Sequence, residues 1–297
     1  MQIKVDSFAE AYSVLRKELL EAPIVAPRGM KTKEILGVTI HLTNPKSRLG
    51  FHKDRGYSLP LMIAEAIMLF SDSDRLEHLS FINPRMKMYS DTGSTLFGAY
   101  GNRIHTNIQD VLRKLKEDPS TRQAVLPIIR PYDLRVVTKD FPCTQVLQLM
   151  IRDNKLHMFS MMRSNDFGWG LQYDLPVFTI FQEILANTLN LEVGEYYHTA
   201  NSLHVYDYHF DSLEKIKELQ PVEFTVPYKL EHMKYLSEVT SQIHTLQSSD
   251  LEEDDSPFLL ILRSLLRKKQ HLPYQIMPLT DFAWADQFLQ YELKDTK

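Results

Sequence analysis

Two apolar-rich runs, Gln145–Arg152 and Lys155–Met162, are separated only by Asp153-Asn154. Both of these residue types tolerate the left-handed backbone that a two-residue connection needs, so the spacing predicts a tight β-hairpin. So short a turn fixes the register, and it brings whatever precedes the first strand beside whatever follows the second. Further strands are predicted over Glu34–Leu42, Ala124–Ile129 and Ser202–Tyr206. Amphipathic spacing predicts helices over Ser7–Leu20, Thr106–Glu117, Leu175–Leu189, Tyr208–Leu219 and Pro257–Lys269. Leu59–Phe70 is apolar on nearly every side except at Glu65, which predicts a buried helix carrying one carboxylate. Elements in this order give an α+β fold with a mixed sheet. An acidic stretch over 247–255 predicts a boundary near residue 248, with a main domain over 1–247 and a linker plus helical extension, containing Trp284, over 248–297.

Composition narrows the function classes. The chain has 297 residues, 43% hydrophobic and 24% charged, which excludes disorder over most of its length. Lys and Arg number 34 against 38 Asp and Glu, a net charge of −4, so stable nucleic-acid binding is not expected, although a local basic pocket is permitted. No apolar run reaches the roughly 20 residues of a membrane helix. The N-terminus carries acids and helical periodicity rather than the form of a secretory signal, so a cytoplasmic protein is expected. One cysteine excludes an intramolecular disulfide framework and a multi-cysteine zinc site. His204 and His209 lack a third ligand, and no metal is expected. With ten glycines and neither common nucleotide-cradling loop, phosphate would have to be held by side chains.

Cys143 lies just before the first hairpin strand and Arg163 ends the second. The hairpin therefore brings them together, and a guanidinium beside a thiol favours the thiolate, the nucleophilic form. A lone cysteine is ordinarily an inert small hydrophobe. It is this neighbour that changes its reading.

The segments Pro142-Cys143, Arg163-Ser164-Asn165-Asp166, Gly170-Leu171-Gln172-Tyr173-Asp174, Leu191-Glu192-Val193-Gly194-Glu195 and Ser202-Leu203-His204-Val205-Tyr206 carry a family resemblance. With Arg28-Gly29, Glu65, Tyr100-Gly101 and Asp118-Pro119-Ser120-Thr121-Arg122, their order and spacing resemble the thymidylate synthase family from about residue 5 to 215. The resemblance implies a thymidylate-synthase-like sheet packed with helices. It also implies that Cys143 adds to C6 of a pyrimidine nucleotide, so that C5 can attack a one-carbon unit from 5,10-methylenetetrahydrofolate, the expected co-substrate. By the same resemblance Arg163 and Ser164 hold the phosphate and Arg28 closes over it. Arg122 would reach into the partner's site of a homodimer. Gln123 stands where the family usually has a second arginine, and Arg130 is a candidate replacement. Glu65 and Tyr100 would move protons, Asp166 and Gly170 would bind the folate, and His204 and Tyr206 would bind the sugar 3′-hydroxyl. The last two share a strand face. Burial in an apolar helix should raise the pKa of Glu65, though a structural acid fits as well, and Asp166 also reads as a turn-former.

Asp174 stands where the family carries Asn. An amide can accept from uracil N3–H while donating to O4, whereas cytosine offers N4–H as donor and N3 as acceptor. An acid meets the cytosine edge with one oxygen on N4–H and a shared proton on N3. Asp174 equally reads as an N-cap for a helix beginning at Leu175-Pro176. Met86 or Tyr89 stands where the family usually places a Trp against the folate, and the chain ends in Tyr291–Lys297 rather than the usual short hydrophobic tail. A site open to water suits hydroxymethylation. The resemblance is thus to the (deoxy)cytidylate 5-hydroxymethylase branch, with a uridylate-directed enzyme, or a non-catalytic nucleotide binder, as the alternatives.

Overall fold

The computed structural model describes residues 1–246 and 256–270; the acidic stretch, Trp284 and the final residues lie outside them. In chain order the elements are β1 (Gln2–Val5), α1 (Phe8–Glu21), β2 (Ile24–Val25), β3 (Thr32–Leu42), β4 (Leu49–Phe51), α2 (Leu59–Met68), α3 (Glu77–Ser80), α4 (Tyr100–Glu117), β5 (Val125–Pro127), β6 (Thr144–Arg152), β7 (Lys155–Met162), β8 (Asn165–Asp166), α5 (Leu171–Leu189), β9 (Glu192–Tyr206), α6 (Phe210–Lys215), β10 (Gln220–Val222), α7 (Leu230–Ser241) and α8 (Pro257–Lys269). The fold class is α+β, as expected.

The chain divides into two compact units, residues 1–55, 103–136 and 142–229 in the first, and residues 56–102, 137–141 and 230 onward in the second. The expected boundary near residue 248 falls outside the described residues. A run with its own apolar helix, α2, leaves the first unit and groups with the chain after residue 229. None of the described helices is long and apolar enough to cross a membrane.

The first unit is built on a mixed sheet in the order β1-β3-β9-β7-β6-β5, with β2 on β3 and β8 on β9. The predicted hairpin is β6–β7, with Arg152 opposite Lys155. Asp153 and Asn154 both have positive φ, 51° and 59°, which gives the turn the twist of its strands. Strand β9 is the spine: it pairs antiparallel with β3 and parallel with both β7 and β8. Only its last five residues were expected as strand. Its inward positions hold Tyr196 and His198, both buried, and polar rings there hide the alternation that marks a strand. Helix α5 packs on β7 and β9 and is buried at every residue from Leu171 to Ala186 except Asp174.

Helix α5 is also tied down by charge. Glu183 Oε2 accepts from Arg48 Nη2 at 2.5 Å, and Arg48, fully buried, lies 4.8 Å over the Phe224 ring. Truncating one partner of such a pair strands the other in a low dielectric. Glu183→Ala is therefore expected to cost about 3–5 kcal/mol of stability, read by chemical denaturation. A loss under about 1 kcal/mol would mean that water reaches Arg48.

The described part of the second unit is largely helical. Helix α2 carries Glu65 as its one polar side chain and packs against α7 and α8. The first turn of α4 rests on the end of α2: a Cβ on Gly101 would lie 2.0 Å from the Met68 carbonyl oxygen. Glycine at this position is a requirement of close approach. Helix α4 starts at Tyr100, six residues before the expected start at Thr106.

Candidate active site

Cys143 sits one residue before β6, where the hairpin register shifts. Thr144 pairs with Met162 but Val146 pairs with Met161, leaving Gln145 as the extra residue of a bulge. Bulges re-aim neighbouring side chains. Arg163 N donates to the Cys143 carbonyl at 2.8 Å and Arg163 Nε donates to the Pro142 carbonyl at 2.9 Å. So held, its Nη2 lies 3.6 Å from Cys143 Sγ. The expected pair is present, with the cation placed to stabilise a thiolate on a half-buried sulfur. Because this is the chain's one thiol, its reactivity is directly readable. Arg163→Gln is expected to slow alkylation by iodoacetamide at pH 7 by about tenfold, measured as mass gain; an unchanged rate would show that the guanidinium does not govern the sulfur.

Past Arg163 and Ser164 the chain enters β8, which pairs Asn165 with Leu203 and Asp166 with His204. Asp166 accepts from Gly168 N and Trp169 N, each at 3.0 Å, so it does form the turn. Burial raises its pKa against the pull of these two amides and of His204 and His209. A carboxylate has about four lone-pair sites, so capacity remains for a ligand. The His204 and Tyr206 rings are 5.0 Å apart at 88°, on one face of β9. His204 is buried and its Nδ1 has no hydrogen-bond partner. A buried polar atom left open is what a bound hydroxyl would complete.

Asp174 does not cap a helix. Helix α5 begins four residues earlier than expected, at Leu171, with Gly170 as its N-cap. Proline within the first two turns suggested a later start, but Pro176 is accommodated inside the helix. Asp174 instead turns its side chain to β8, where Oδ2 accepts from Asn165 Nδ2 at 2.7 Å. Burial pushes its pKa up to about 7, against that hydrogen bond, and the nearby Asp166 charge pushes the same way. Gly170 makes the approach feasible, since a Cβ there would lie 2.8 Å from Asn165 Nδ2.

Behind Asn165 runs a network absent from the expected site residues. Asn165 Oδ1 is 2.9 Å from His198 Nε2. His198 Nδ1 is 2.9 Å from Tyr196 Oη and 3.1 Å from Ser160 Oγ, and those two hydroxyls are 2.7 Å apart. Burial pushes the His198 pKa down to about 3, so the ring is neutral. The period-two spacing of Tyr196 and His198, both facing inward, was the available signal.

Arg28 is exposed in a 3-10 turn with φ 54°. Arg122 is exposed, and its carbonyl accepts from Gln148 Nε2. Glu65, on α2, and Tyr100, opening α4, belong to the second unit.

A family model described as thymidylate synthase matches residues 28–254. A deoxyuridylate hydroxymethyltransferase of Bacillus phage SP01 is 29% identical over 287 residues, 91% of this chain and 68% of that protein. One from Delftia phage PhiW-14 is 31% identical over 184 residues, 57% of this chain and 52% of its own length. A bifunctional dihydrofolate reductase-thymidylate synthase of Paramecium tetraurelia is 25% identical over 178 residues, 55% of this chain and 38% of that protein. The match spans most of the sequence and includes the cysteine–arginine pair: the chain belongs to the thymidylate synthase family, enzymes that move a one-carbon unit from a folate to a pyrimidine nucleotide.

Proposed function

We propose that this enzyme hydroxymethylates C5 of a cytosine nucleotide, dCMP or CMP, using 5,10-methylenetetrahydrofolate and water. The observation that carries the base assignment is Asp174: a carboxyl in place of an amide, half-buried in an otherwise buried helix, with a pKa near neutrality. In the neutral form it offers one accepting oxygen and one O–H, which match N4–H and N3 of cytosine. A ring anchored at C6 and at its phosphate cannot exchange these two positions, so the order of donor and acceptor selects the base.

Cys143 Sγ forms a bond to C6 and the C5–C6 π pair moves to C5, which attacks the one-carbon unit. When bound, the folate supplies that carbon at the oxidation level of formaldehyde. Asp166 fits its pterin edge because each oxygen retains a lone pair beyond the Gly168 and Trp169 bonds. Gly170 shapes the same wall. Loss of the C5 proton, cleavage of the transferred carbon's bond to the folate nitrogen with departure of tetrahydrofolate, entry of water at that carbon and release of sulfur complete a balanced transfer with no redox change. Glu65 and Tyr100 are assigned to the proton transfers. Arg163, Ser164 and Arg28 are assigned to the phosphate, with Arg122 supplied across a homodimer, and His204 with Tyr206 to the sugar hydroxyl, which would satisfy the open Nδ1.

A uracil nucleotide is the second reading, favoured by relatives named deoxyuridylate hydroxymethyltransferases. Incubating the protein and methylenetetrahydrofolate with dCMP, CMP and dUMP separately, then weighing the nucleotide, decides. A gain of CH2O on a cytosine nucleotide is expected. Conversion of dUMP alone would overturn the role given to Asp174, and addition of a methyl group would overturn hydration.

A further inference from the structure

We propose that His198 is a positioning residue for base selection, holding the Asn165 amide in one orientation so that Oδ1 of Asp174, the oxygen Asn165 does not contact, is the one that carries the acid proton. This rests on the reading of Asp174 as the residue that meets the base. His198 itself lies buried behind Asn165.

The polarity of the chain follows from counting hydrogens. Ser160 and Tyr196 each have one hydroxyl proton and meet each other and His198 Nδ1. If Nδ1 accepts, one hydroxyl donates to it and the other donates to the first, and every proton is used. His198 then carries its hydrogen on Nε2 and donates to Asn165 Oδ1. The amide is thereby oriented so that Nδ2 donates to Asp174 Oδ2. An oxygen accepting that bond is the carbonyl oxygen of a neutral acid, which leaves the O–H on Oδ1. The opposite tautomer reverses every link: Nε2 would accept from a flipped amide, Asn165 Oδ1 would require the acid proton on Oδ2, and Oδ1 would become an acceptor only. The buried ring thus decides, two residues away, whether Asp174 presents a donor or an acceptor at that edge.

The ionisable groups facing Asp174 are few. Asp166 stands beside it on β8, and His198 and Tyr196 on β9 reach it through Asn165. Glu183, further along α5, is committed to Arg48. Neutral polar contacts come from Asn165 and, behind it, Ser160 on β7. Burial keeps His198 neutral across the physiological range, so its tautomer, rather than its charge, transmits the order.

The test compares kcat/KM for dCMP and dUMP across pH 5.5–9 in the full-length wild type, His198→Phe, His198→Gln, Asp174→Asn and the double variant Asp174→Asn/His198→Phe. With His198→Phe the amide is free to flip, and the dCMP-to-dUMP ratio is expected to move at least fivefold towards unity, with a displaced alkaline limb. His198→Gln, whose amide can donate from the same place, should restore the ratio to within about twofold. The double variant should match Asp174→Asn alone, because the effect passes through that carboxyl. A His198→Phe protein that is folded by circular dichroism and keeps the wild-type ratio and pH profile would overturn the proposal. An Asp174→Asn protein with an unchanged ratio would overturn the reading of Asp174 as well, which distinguishes the two failures. Should His198→Phe not fold, 15N-histidine NMR of the wild type decides: an Nε2–H tautomer for the buried ring supports the proposal, and Nδ1–H rejects it.

Discussion

Cys143→Ser is expected to lose nucleotide turnover by at least about 10³-fold, with binding of the nucleotide little changed. The hydroxyl is smaller and much less acidic, and Arg163 Nη2 at 3.6 Å from the sulfur stabilises an anion that serine does not form at neutral pH. Two readouts separate chemistry from binding. Release of tritium from C5 of a labelled nucleotide reports addition at C6 and should disappear. Equilibrium binding of the same nucleotide should persist, because Arg163 is positioned by the Pro142 carbonyl and does not need the sulfur to hold its place. Retained tritium release in Cys143→Ser would remove the covalent step altogether. Binding without any exchange in the wild type would leave a nucleotide-binding protein that performs no chemistry.

Asp174→Asn is expected to move the dCMP-to-dUMP preference by about 10- to 100-fold towards uracil, the range that one mispaired buried polar group produces. The same change should alter the pH profile. In the free enzyme Asp174 binds its proton with a pKa of about 7, and the proposed contact with cytosine N3 needs that proton. Above pH 7 kcat/KM should therefore fall about tenfold per unit in the wild type, and this limb should vanish in the variant. Stability should change with the opposite benefit. The folded carboxyl titrates near 7 while the ordinary value is 3.8, so between those pH values the folded protein holds a proton that the unfolded chain has released. Stability is then lost as pH rises from about 4 to about 7 and stays level above. An amide pays no ionisation cost. Because Asp174 retains some solvent contact, Asp174→Asn is expected to gain about 2 kcal/mol at pH 8 and little at pH 4. Equal stability gains at both pH values would show that the carboxyl is not buried at its ordinary cost.

The pKa values of Asp174 and His198 are displaced in opposite directions by one cause, loss of solvent, which leaves His198 neutral and lets Asp174 hold its proton up to about pH 7. A run of neutral donors and acceptors can be fully satisfied inside a sheet, whereas a charged pair at the same depth would need compensation. If Asp174 meets the base, as proposed, the choice between bases falls to the order of hydrogens along this run.

What the sequence settled was local or covalent. The two-residue turn at Asp153-Asn154 dictated the hairpin, and the hairpin dictated that Cys143 and Arg163 meet, because side chains at the open end of a two-stranded ribbon have nowhere else to go. The segments from Pro142 to Tyr206 identified the family by order and spacing. What only the tertiary structure decided were pairings between positions remote in the chain. The stretch 56–102 groups with residues after 229, positions remote from it in the chain. Asp174 reads as a cap until α5 is seen to begin at Leu171 and its carboxyl to meet Asn165. His198 lies 33 residues from Asn165 and 38 from Ser160, joined to both across strands. Periodicity reports which face of an element is apolar. Which polar groups share a buried face depends on strand register, and register is fixed only when the sheet closes.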